Sequence, residues 1–174
     1  CGGDGSNCDG DVHFLPAYLE YSENPYLAMN ITALSAVLDD INLETGDEIG
    51  IFDGDVCVGA GVVDGTISTG NMLAMVASAQ EPSWPTGAGF TSGNSISYHF
   101  YDASADIVIT SVQADYVQGS GIFTPQGSAY VNLMGSQVSD QTIDLTNGWN
   151  IISFNLEPDN MDMLDILDGL ISEG

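Results

Sequence analysis

The chain has 174 residues, of which 44% are hydrophobic, enough to build a core for one domain or for one domain and part of another, and this argues against wholesale disorder. It carries 25 acidic residues and neither lysine nor arginine, a formal net charge of −25. Phosphate backbones and anionic lipid surfaces are held by basic side chains, so nucleic acid is excluded as a partner and such membranes are disfavoured. No apolar run is long enough to span a bilayer.

Self-repulsion in such a chain must be relieved by salt, bound cations or low pH. Ca²⁺, which prefers oxygen ligands, is the natural candidate cofactor. The plainer reading is that the charge keeps a secreted protein soluble. No leader-like apolar segment opens the chain, so it reads as a mature or trimmed product.

Residues 1–11, CGGDGSNCDGD, form a Gly- and Asp-rich segment read as a loop. Asp4, Asn7, Asp9 and Asp11 are spaced like ligands of calcium loops, without the closing Glu and flanking helices of an EF-hand, and Asp4, Asp9 and Asp11 are the candidate ligands. Three cysteines are too few for a disulfide scaffold. Cys1 and Cys8 could close a small loop, or Cys57 could take one of them.

Short apolar stretches then alternate with Gly, Pro, Asn and Asp. Strands are expected at His13–Tyr18, Met29–Leu38, Glu48–Phe52, Val56–Val63, Met72–Ala79, Ser95–Asp102, Ile107–Tyr116 and Ala129–Met134. Their spacing and Val, Ile, Thr, Tyr and Phe content predict an all-β fold: an antiparallel β-sandwich, Ig-like or jelly-roll-like, over residues 12–135.

Within GDEIGIFDGDVCVGAG, Asp53-Gly54 is a type I′ hairpin signal. Placed there, the turn puts Ile49, Ile51, Val56, Val58 and Ala60 on a core face and leaves Phe52 and Cys57 on the other. Asp53 then serves the turn and Asp55 starts the next strand. A calcium role for Asp53 and Asp55 is secondary.

Residues 81–90 carry Trp84 between two prolines. A loop Trp usually folds back to cap the core edge, and the alternative is a stacking platform for sugar. Trp84, Tyr98, Tyr101 and Tyr116 are the aromatics considered for such stacking, with Trp84 and Tyr101 the ligand-contact candidates. Residues 118–127, rich in glycine, read as an irregular crossing near a sheet edge.

Residues 136–174 change character. A hairpin around Asn147-Gly148 precedes a short amphipathic helix with Met163, Leu164, Leu167, Leu170 and Ile171 on one side. Its apolar face needs a cover: the sandwich, a following module or a neighbouring subunit. The last two are favoured.

These residues carry a resemblance. GDEIGIFDGDVCVGAGVV resembles the hairpin of modular secreted surface proteins of Bacteroidetes-type bacteria, where a GDEIGxF-x-G-x-x-C-x-G pattern recurs. SISYHFYDASADIVI is similar to a later strand of those modules, and NPYLAMNITALSAVLDDINL to their opening strand. TNGWNIISFNLEPDNMDML is similar to the start of a module found beside type IX secretion sorting domains. The resemblance covers most of residues 13–164. It implies an extracellular or bacterial cell-surface module and transfers no catalytic motif.

An enzyme is not expected. His13 and His99 are the only histidines, both within expected strands, and no GxSxG elbow is present. The expected function is a structural or adhesive module that engages other copies of itself or neighbouring modules, forming filaments through terminal strand exchange. The alternative is a carbohydrate-binding module with polysaccharide as partner.

Overall fold

The computed structural model describes residues 12–137. The chain divides into two units, Cys1–Ser139 and Asp140–Gly174, and the description concerns the first. The expected N-terminal segment 1–11 and the expected hairpin and helix near the C-terminus lie outside the described residues.

Among the described residues the strands are β1 (Met29–Leu38), β2 (Ile41–Asn42), β3 (Glu48–Asp53), β4 (Val56–Val62), β5 (Leu73–Ala77), β6 (Ser97–Asp102), β7 (Ile107–Ile109), β8 (Val112–Gln118) and β9 (Ser128–Gly135). They form one sheet in the order β7-β6-β3-β4-β5-β1-β9-β8, with β2 folded back on β1. The fold is all-β, as expected. It is a curled half-barrel and not an antiparallel two-sheet sandwich. The reason is β1, which is antiparallel to β5 on one flank and parallel to β9 on the other, and so joins both halves into a single sheet.

The curl brings β6 towards β8 and β9. The Tyr98 and Tyr116 hydroxyls lie 3.0 Å apart. The Phe100 ring lies against Gly135, where a Cβ would come within 2.7 Å of it. Ile96 N–H donates to the Gly121 carbonyl and Phe123 N–H to the Asn94 carbonyl, both at 2.9 Å. Inward-facing Ile31, Ile49, Ile51, Val58, Met75, Tyr98, Phe100, Phe123, Val131 and Leu133 fill the interior.

Two expected strands differ. The stretch 107–116 breaks into β7 and β8 because the chain leaves β6 and continues along β9. The stretch 13–18 is not a strand. It contains Pro16, which has no N–H to donate, and runs into a 3₁₀ turn at Ala17–Glu20.

Turn chemistry shifts by one residue in the β3–β4 hairpin. Asp53 pairs with Val56, so Gly54 and Asp55 form the loop, and Gly54 takes φ +59. That is the Gly-first arrangement of a II′ turn, not the expected I′ turn at Asp53-Gly54. A register shift beyond Phe52–Cys57 inserts Val58 as an extra residue, and Val58 still turns fully inward. Ile49 and Ile51 therefore keep the core face, while Val56 and Ala60 are only partly buried. Positive φ at both central residues occurs instead at Asp39 (+48) and Asp40 (+65), which turn β1 back into β2.

Candidate functional site: the aromatic corner around Trp84

The outer face of β3 is covered by the segment that precedes β1. Glu48, only 4% exposed, accepts the His13 N–H at 2.7 Å and the Phe14 N–H at 2.8 Å. With no lysine or arginine in the sequence, two peptide dipoles meet this carboxylate. Phe14 then lies edge-on to Phe52, and His13 stacks on Tyr101 at 4.0 Å. Gly50 leaves the space: a Cβ there would come within 2.6 Å of Phe52 and 3.0 Å of Phe14. Once latched, this strap carries Tyr18 and Tyr21 towards the loop after β5.

That loop is built on Gln80. Its Nε2 donates to the carbonyls of Glu81 (2.9 Å), Trp84 (3.4 Å) and Pro85 (3.1 Å). Its Oε1 accepts the N–H groups of Gly87 (3.1 Å) and Ala88 (3.0 Å). One amide side chain thus replaces the ladder that an irregular loop lacks. Gly89 lets the loop close on itself, because a Cβ there would overlap the Ala79 carbonyl. A third segment is tied in by buried Ser78, whose hydroxyl oxygen accepts the Tyr26 N–H at 2.9 Å.

Three separately anchored segments therefore meet at one half-buried indole. Trp84 lies 14° from the plane of Tyr18 with centroids 6.5 Å apart, and 27° from Tyr21 at 6.2 Å. Tyr26 stands at 68° to it at 6.4 Å. Tyr18 is buried, whereas Tyr21 is 45% exposed. Burial pushes the Tyr18 hydroxyl pKa up, and a hydrogen bond to the Glu20 carboxylate raises that of Tyr21. Glu81 accepts the Ser83 hydroxyl within the indole loop. The corner thus gathers near-parallel rings on two segments that each also carry a carboxylate, Glu20 on the strap and Glu81 on the loop, a setting for stacking and for attracting positive charge.

The other aromatics and acids expected at sites are committed elsewhere. Tyr98 is buried in the core and bonded to Tyr116. Tyr101 has one ring face under His13 and donates its hydroxyl to Asp106 at 2.8 Å. Asp53 accepts the Thr91 N–H at 2.7 Å and the Asn94 amide at 2.8 Å, clamping the loop before β6. Asp55 is exposed at the hairpin tip. Buried Asp47 accepts N–H groups of Glu44 (2.7 Å) and Ala103 (3.0 Å). Among the described residues no three His, Cys, Asp or Glu side chains converge as metal ligands. Asp4, Asp9, Asp11, Cys1 and Cys8 lie outside them. Cys57 is half-buried and pairs across the hairpin with Phe52. Burial pushes its thiol pKa up to about 11.

No family model, curated protein or solved structure matches the chain. The reading of its function therefore rests on the molecule's own surfaces.

Proposed function

We propose that this chain is a non-enzymatic structural and adhesive module of a secreted bacterial surface protein, joined to its neighbours by strand addition. The supporting observation is the sheet edge. Among the described residues β8 pairs only with β9, and its Val117 is 61% exposed. A seven-residue edge with no second strand among the described residues, bearing an exposed apolar side chain, is a template for another strand. The carboxylates of Asp47, Glu48 and Asp53 support this reading because each one holds loop or strap backbone in place.

Light scattering of the full chain across a concentration series, at low and high salt, tests assembly. Growth in mass with concentration, weakened by Val117→Asp, is expected. A strict monomer at the highest concentration removes the filament reading.

A second reading, binding of carbohydrate, is favoured by one observation: the near-parallel Trp84, Tyr18 and Tyr21 rings. Titration with neutral and amino-bearing oligosaccharides tests it.

A further inference from the structure

The corner around Trp84 has two properties that together select a ligand. The first is rigidity. The Trp84 loop hangs on the five hydrogen bonds of Gln80. The strap bearing Tyr18 and Tyr21 hangs on Glu48. Rings held in this way need little reordering when something stacks on them. Tyr21 remains 45% exposed and the neighbouring Leu19 40% exposed, so part of the corner is open to solvent.

The second property is charge. Exposed Glu20 precedes Tyr21 on the strap, and Glu81, whose carbonyl accepts the Trp84 N–H, is fixed on the indole loop through the Ser83 hydroxyl. No lysine or arginine in the chain can neutralise either. An acidic polysaccharide is repelled from this surface. A neutral sugar gains only contact with the ring faces. A sugar bearing an ammonium group gains that contact, the attraction of the indole face for a cation, and two carboxylates within the same corner.

We propose that the Trp84 corner binds amino sugars, with the sugar body on the Trp84 and Tyr21 rings and its protonated amine directed to Glu20 and Glu81. The inference rests on the carbohydrate reading and adds the ligand class to it.

The test is calorimetric titration of the full chain, at slightly acidic pH, with a β1,4-linked glucosamine hexamer and with the corresponding glucose hexamer. The glucosamine hexamer is expected to bind about tenfold or more tightly than its neutral counterpart, and Trp84→Ala to remove about as much. Trp84→Ala leaves the net charge of −25 unchanged, so diffuse attraction of a polycation survives it and only binding at the corner is lost. Glu81→Gln is expected to weaken the glucosamine hexamer and leave the glucose hexamer unaffected. Equal affinity for both hexamers, lost in Trp84→Ala, overturns the amino-sugar inference and leaves carbohydrate binding standing. Binding indifferent to Trp84→Ala, or no binding of either hexamer, overturns both. Should Trp84→Ala fail to show the wild-type circular dichroism, Tyr21→Ala at the exposed ring takes its place under the same criteria.

Discussion

Replacing Glu48 with Gln tests whether the strap is held by a carboxylate or only rests on an apolar face. Glu48 accepts two backbone N–H groups, at 2.7 and 2.8 Å, and is 4% exposed. Gln keeps the shape but offers one oxygen and one NH₂, so one of the two N–H groups faces a donor. Charge-assisted hydrogen bonds contribute about 1.5–3 kcal/mol, and a stranded buried N–H costs about 1–3 kcal/mol. Weakening one and stranding the other destabilises by about 2–4 kcal/mol. Removing one negative charge from a chain at −25 slightly offsets this. At about 3 °C per kcal/mol for a domain of this size, the midpoint should fall by about 6–12 °C.

Thermal melting followed by circular dichroism reads the fall, and hydrogen exchange at the His13 and Phe14 amides localises it. Phe14→Ala should be non-additive with Glu48→Gln, because either change frees the same strap. A Glu48→Gln midpoint within about 1 °C of wild type, with both amides still protected, would refute the latch.

Gly50→Ala should destabilise by about 1–3 kcal/mol, since its methyl enters the space taken by Phe14 and Phe52; an unchanged urea midpoint would contradict the packing described. The Cys57 thiol, pushed to about 11 from 9.0, should react with iodoacetamide near neutral pH about a hundredfold more slowly than an exposed cysteine. The measurement uses a chain carrying Cys1→Ser and Cys8→Ser, and an ordinary alkylation rate would mean that the half-buried position is wrong. Asp102 is held below the usual carboxylate range, chiefly by the Ser104 hydroxyl, with the Ala105 and Ser104 N–H groups adding to the effect. A carboxyl with a depressed folded pKa stabilises at neutral pH, and that stabilisation is lost as the pH falls through the folded value. An NMR pH titration should show Asp102 titrating below ordinary aspartate and rising in Ser104→Ala. No rise would assign the shift to another cause.

β1 was legible to its ends, Met29–Leu38, because alternation and turn signals coincide there. Alternation reports which face of a strand is buried but says nothing about which strand lies beside it. The parallel β1–β9 pairing, and with it the single curled sheet, was therefore not legible. The β3–β4 hairpin was read one residue off, since Gly54 satisfies the positive φ either as first or as second loop residue. The bulge at Val58 then restored the inward face that the apolar pattern demanded.

At the corner, Trp84 stood out through its flanking prolines. Its tyrosine neighbours did not, because they arrive on segments distant in sequence. Glu48 and Gln80 were missed for a shared reason. Their partners are peptide N–H and carbonyl groups, which every residue carries and no residue type marks.

The parallel pairing also governs the order in which the chain can fold. Ser35 of β1 meets Asn132 of β9 across 97 positions, with a hydrogen bond of 2.9 Å between their side chains. Until that late segment arrives, β1 keeps one flank unsatisfied in the middle of what will become the sheet. The β3–β4–β6 ribbon, closed by shorter loops, can assemble well before. Consolidation thus waits on a long-range closure, the kind that slows β-rich chains. For a polypeptide emerging from its N-terminal end, β1 is the first of the described strands to be made and waits longest for its second neighbour.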